Sequence, residues 1–226
     1  MKTWALVLTL LSMAIPVGAQ EKVEAKPPKP VDMLKNLQTI YFAFNDFRDK
    51  HGTYPPAKGG HQLSWRVHLL PYLGAKDLYE KFHLDEPWDS VHNKTLIAHM
   101  PKIYESATAG EKGTTRILGF AADSAPFGRD IGFSPMDITD GIANTLLVVQ
   151  VGSDKAVPWT KPQDVSFQLE DPKAGLGELK GETFPAVFID GHTCQLPTAI
   201  GDVLFRTLVT MNANDGIAFV EPCLKP

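Results

Sequence analysis

Between residues 31 and 50, Leu34, Leu37, Ile40, Tyr41, Phe44 and Phe47 recur at steps of three and four. On a helix with 3.6 residues per turn they share one face, while Lys35, Asn36, Gln38, Asn45 and Asp49 take the other. Asp32 can cap the start, His51-Gly52 stops the helix, and Pro55-Pro56 prevents a restart. An apolar face this wide is a core face, and it needs a hydrophobic sheet to lie on.

The later chain supplies strands. Residues 145–151, TLLVVQV, are a β-branched run with the character of a central strand, and residues 116–122 form a second candidate. Residues 157–161 read as a short edge segment carrying Trp159. Residues 184–189 and 192–196 flank Asp190-Gly191 as a tight hairpin, because Asp-Gly supplies the positive φ angles such turns require. A last amphipathic helix covers 202–211, with Val203, Leu204, Leu208 and Met211 on one face. Helices early and strands late predict an α+β fold, with an N-terminal amphipathic helix and short helices packed on one face of an antiparallel β-sheet.

The aromatic-rich stretch 63–101 lies between these parts. Ser64 caps a short helix starting at Trp65, and Pro71 limits that helix to about Leu70. A helical turn or two follows at 76–82, and a third helix at 91–100 is capped by Asp89 or Ser90. Asp85, Glu86, Asp89 and His92 cluster in the turn between them. Carboxylates so close together can bind a hard cation, but no calcium-loop spacing or glycine accompanies them, so a helix cap with a solvated acidic turn is the simpler reading.

Residues 1–19 read as a secretory signal peptide, with Lys2, a short apolar run and Val17-Gly18-Ala19 before the cleavage point. Residues 20–30, QEKVEAKPPKP, are a linker with too few apolar residues to pack. Residues 31–213 form the folded domain and 214–226 a C-terminal tail. Export is therefore expected, to the periplasm or beyond, with no stable membrane anchor once the leader is removed. In an oxidising compartment Cys194 and Cys223 can pair, or remain two separate thiols; spacing alone leaves both open. A formal charge of −4 without a basic run argues against nucleic acid as a partner.

The sequence carries none of the familiar catalytic signatures. Gly132-Phe133-Ser134-Pro135-Met136 lacks the last glycine of a hydrolase elbow. No zinc-protease helix, paired CxxC or phosphate-binding glycine loop occurs. His92 and His99, and likewise His61 and His68, stand seven apart, too far along a helix to chelate one ion. Asp190-Gly191-His192 is explained as a turn. No catalytic residue, metal or cofactor is expected, and the chain is not expected to be an enzyme.

Several segments together resemble one bacterial family. They are LKNLQTIYFAFNDF followed by GTYPPA, then LSWRVHLLPYL, DEPWDSVHNK, the Met100-Pro101 pair with Tyr104, ITDGIANTLLVV, AVPWTKPQD and FIDG. The family is the planctomycete-type domain of unknown function 1559 (DUF1559), whose members often carry a prepilin-type N-terminus and an H-X9-DG motif. The resemblance implies a pilin or pseudopilin-like head, a long helix against an antiparallel sheet, and no established activity. Here a short leader and a proline linker stand in place of the prepilin helix. Lys180 occupies the histidine position ten residues before Asp190, and Glu105 stands where a cysteine commonly follows the tyrosine.

Two functions are therefore expected. One is a secreted, non-catalytic pseudopilin-like module of the cell envelope, in a structural or protein-interaction role with envelope or secretion-system proteins. The other is a small-ligand or glycan-binding module using Trp65, Trp88 or Trp159 as stacking platforms beside Asp85, Glu86 and Asp89. Exposure of those rings discriminates between them.

Overall fold

The computed structural model describes residues 30–57, 62–106, 111–129, 131–214 and 223. The expected leader, nearly all of the linker, His61 and most of the tail lie outside the described residues.

Helix α1 runs Pro30–His51. Proline suits a first helical turn, where its missing N–H would have no partner, and Arg48, Lys50 and His51 sit in the last turn, where cations meet unpaired carbonyls. Gly52, at φ 84°, closes the helix by donating its N–H to the Arg48 carbonyl at 2.7 Å. Leu37, Ile40 and Phe44 are fully buried; Leu34, Tyr41 and Phe47 are half-buried. Met33 and Ala43 complete the inner face.

Short helices follow. α2 is Trp65–His68, and Ser64 caps it by accepting the Arg66 N–H. A 3-10 turn, Leu70–Leu73, carries Pro71 near its start and ends at left-handed Gly74. α3 is Lys76–Tyr79, and the helix expected at 91–100 is reduced to α4, Asn93–Leu96, with a 3-10 turn over Ile97–His99.

The strands are β1 Thr114–Thr115, β2 Ile117–Leu118, β3 Phe120–Ala121, β4 Leu146–Gln150, β5 Val157–Pro158, β6 Val165–Ser166, β7 Thr183–Phe188 and β8 Thr193–Pro197. The main sheet is antiparallel in the order β2-β4-β7-β8, so β4 is central, and all five of its residues are buried. The strand expected over 116–122 is split. β2 pairs with β4, while β3 turns to pair with β6 in parallel. The break falls at Gly119, whose N–H goes to the Asp164 carboxylate at 2.8 Å and whose missing side chain leaves room for the Phe127 ring.

Side chains alternate across the sheet, so successive residues feed two cores. Val187 joins Leu37, Ile40, Phe44, Trp65 and Val148 in the core under α1. Ala186 and Phe188 join Phe184, Leu196, Phe205 and Leu208 in a second core on the opposite face. A register shift between Leu146 and Val148 sets β4's alternation to match. Helix α5, Asp202–Val209, belongs to that second core, so helices cover both faces of the sheet rather than one. Its anchors are Phe205, Leu208 and Val209; Val203, expected on the apolar face, is 76% exposed.

The β7–β8 hairpin also differs in detail. Gly191 alone takes a positive φ, 93°; its N–H bonds the Phe188 carbonyl, and the Phe188 N–H bonds the His192 carbonyl. This is a three-residue loop with glycine in the left-handed position, not a two-residue turn. Tyr41 of α1 packs where a Gly191 side chain would stand, which seats the hairpin tip against the helix. Cys194 of β8 and Cys223 form a disulfide with Cα atoms 5.5 Å apart.

Candidate functional site

The most conspicuous buried polar residues are held by specific partners. Arg66 and Asp164 stand 98 residues apart in sequence, yet Nη2 meets Oδ1 at 3.1 Å with both side chains buried, 0% and 2% exposed. Arg66 also donates to the Ile117 carbonyl at 3.0 and 2.7 Å and to Ser64 Oγ at 2.6 Å, and lies over the Trp65 ring at 4.3 Å. Asp164 Oδ1 accepts from Trp65 Nε1 at 3.2 Å as well. Burial pulls the guanidinium below its ordinary pKa, and neighbouring Asp164 pulls it back. The pair thus joins the WRVH and PWTKPQD segments as a fastener inside the core, out of reach of solvent.

The acidic turn is organised by Asn93, which is fully buried. Its Oδ1 accepts the His83 N–H at 3.0 Å, and its Nδ2 donates to the carbonyls of His83, Glu86 and Pro87 at 2.9, 3.2 and 3.1 Å. Hydrogen bonds from Ser90 and His83 hold the Glu86 carboxyl below its usual range. His83 donates to Glu86 at 2.9 Å and stacks on His92 with ring centres 3.6 Å apart. Asp85 and Asp89 are exposed. Among the described residues, no group of three or more His, Cys, Asp or Glu is placed to hold a metal ion.

Trp65 and Trp159 are each 0% exposed, so neither can stack on a ligand from solvent. Trp65 lies against Phe44 and Phe127, with ring centres 4.9 and 5.7 Å away. Trp159 stacks on Tyr104 and donates its indole N–H to the Ile97 carbonyl at 3.0 Å. Trp88 is half-buried against the core, with Lys161 5.6 Å above its ring. Both Asp-Gly turns also have mechanical tasks. Asp140 accepts the backbone N–H groups of Ala213 and Asn214 at 2.8 and 3.0 Å, tying down the chain after α5. Asp190 accepts from His192 Nδ1 at 2.6 Å, while that imidazole stacks on Phe188.

An open groove lies at the C-terminal end of α1. A groove of about 630 Å³ is lined by Phe47, Lys50 and His51 of α1, by His68, Pro71 and Tyr72 of the next segment, and by Pro56, Tyr79, Leu84 and Asp85. That volume is in the range of small-ligand sites. Its rings are held in a fixed array. Phe47 stacks on His51 with centres 4.2 Å apart, its edge meets Tyr72 at 5.8 Å, and His51 Nε2 is hydrogen-bonded to the Tyr72 hydroxyl at 2.9 Å. Burial raises the pKa of Tyr72 and of Tyr79, so both hydroxyls stay neutral near pH 7. Lys50 lies 6.0 Å over the Tyr72 ring, and Asp85 supplies an exposed carboxylate. This arrangement offers flat apolar faces edged by hydrogen-bond donors and acceptors, which suits binding.

Of the residues singled out from sequence, only Asp85 lines this groove; Trp65, Trp88, Trp159, Glu86 and Asp89 do not. Tyr72, Tyr79 and His51 were not singled out as site residues from the sequence, where His51 read as a helix stop. Their meeting is tertiary, and no local signal announces it.

Residues 34–107 match the family model described as a protein of unknown function, DUF1559. No curated protein and no solved structure matches the chain. The matched segment contains all but the first four residues of α1, the short helices that follow it, the acidic turn and every residue lining the groove. Over residues 34–107, about a third of its length, this chain is similar to the DUF1559 family.

Proposed function

We propose that the chain is an exported, non-catalytic interaction module of the bacterial cell envelope, built like a pseudopilin head, which meets its partner through the groove at the end of α1. The observation carrying this reading is that groove: a preformed, ring-lined site formed wholly by the segment that matches the family. Three further features support it. The Cys194–Cys223 disulfide suits an oxidising compartment. A long N-terminal helix lies across an antiparallel sheet, as in a pilin head. The polar groups most suggestive of chemistry, Arg66–Asp164 and Asp190–His192, are committed to packing and turn contacts. No helix among the described residues is long and apolar enough to cross a membrane.

Cell fractionation with a photo-crosslinking residue at Leu84, on the groove, tests the proposal; Val203, exposed on α5, is the control position. We expect an oxidised protein outside the cytoplasm and one defined adduct from Leu84 but not from Val203. Cytoplasmic protein with two free thiols would sink the localisation. Turnover in a hydrolase screen that is abolished by His192→Ala would sink the non-catalytic reading.

A further inference from the structure

We infer that the groove at the end of α1 takes a neutral saccharide, its ring stacked on the aromatic array of Tyr72, Tyr79 and Phe47 and its hydroxyls bonded to Asp85, Lys50 and the tyrosine hydroxyls. This rests on the groove being the interaction site, and it names the ligand class. Three observations point there.

First, the rings are half-buried and packed against the core, so each is fixed in orientation while still lining the groove. A fixed ring loses little conformational freedom when a flat apolar ligand face settles on it. Sugar rings present such faces through their C–H groups.

Second, the fixed charges are balanced. Lys50 and Asp85 have opposite signs, so the groove does not favour an anionic or a cationic polymer over a neutral one.

Third, the polar inventory is mixed. The ammonium of Lys50 only donates, the carboxylate of Asp85 only accepts, and the hydroxyls of Tyr72 and Tyr79 do both. A proline-rich strand would also fit between rings and prolines, but proline lacks an N–H and offers carbonyl acceptors alone, leaving Asp85 without a donor. Sugar hydroxyls donate and accept, and can satisfy both ends of the groove.

The test is calorimetric titration of the purified protein with neutral cello-, chito- and manno-oligosaccharides. A sulfated oligosaccharide and a proline-rich peptide serve as contrasts. At least one neutral oligosaccharide should bind. Tyr72→Ala should weaken that binding about tenfold, as expected for loss of an aromatic stack. Asp85→Ala, at an exposed position that leaves the fold intact, should weaken it as well. Circular dichroism checks that Tyr72→Ala is folded; if it is not, the Asp85 variant decides alone. No binding by any neutral oligosaccharide would overturn the inference, as would binding that the Asp85 and Tyr72 variants leave unchanged, or a preference for the sulfated sugar. Binding of the proline-rich peptide alone would overturn the saccharide assignment while leaving the groove as the interaction site.

Discussion

Removing the Asp164 carboxylate should be among the most damaging single changes in the core. In Asp164→Ala, Arg66 stays buried with its charge uncompensated, and Trp65 Nε1 and the Gly119 N–H lose their acceptor at the same time. Both charged side chains are essentially inaccessible, so water cannot screen or replace the lost partner. Breaking a buried pair from one side costs about 3–5 kcal/mol. The total stability of such a domain is about 5–15 kcal/mol, so the variant should sit near the edge of folding. At roughly 2–4 °C per kcal/mol for a chain of this size, Tm should fall by about 6–20 °C. Urea titration followed by the fluorescence of buried Trp65 and Trp159 measures the loss, and Arg66→Met with the Arg66→Met/Asp164→Ala double variant closes the cycle. The double variant should lose clearly less than the two singles added together, because removing the cation removes the uncompensated charge. A loss below about 1 kcal/mol in Asp164→Ala, or strict additivity, would refute the view of the pair as a core fastener.

Asn93→Ala should destabilise by about 2–4 kcal/mol, since it strips partners from four backbone groups of the 83–87 turn, and protease nicking of that turn should rise with it. Cys194→Ser/Cys223→Ser should lower stability by about 3–4 kcal/mol in the chain-entropy model for a separation of 29 residues, and dithiothreitol should have the same effect on the wild type. Alkaline stability should depend on Tyr104. Burial raises its pKa well above the ordinary value, and its hydroxyl donates to the Arg66 carbonyl at 3.0 Å. The folded chain then holds the phenol proton to higher pH than the unfolded chain, so this contribution is complete below about pH 10 and is lost as pH rises above it. In Tyr104→Phe the steep alkaline fall measured by pH-dependent urea midpoints should flatten, with a neutral-pH loss of about 1 kcal/mol from the missing hydrogen bond.

What local chemistry decides was legible in the chain alone. The inner face of α1, the cap at Ser64, the buried run of β4 and the turn at Gly191 each follow from spacing or from one residue's conformational needs. The family resemblance was legible too, because it rests on contiguous words such as WRVHLLPYL and DEPWDS. What those words are for was not. WRVH needs Asp164, ninety-eight residues on from Arg66, before its arginine makes sense. DEPWDSVHN read as an acidic cluster until burial of Asn93 showed a loop built around one amide. Likewise the tryptophans, conspicuous in sequence, are largely spent on packing, whereas the groove at the end of α1 is lined by Tyr72, Tyr79, His51 and His68, which no sequence motif marks. Periodicity reports which side of an element is apolar, but only packing decides how much of that side is covered. At the end of α1 the described residues leave that side partly uncovered, and the segments carrying Pro71, Tyr72, Tyr79, Leu84 and Asp85 line a groove beside the helix.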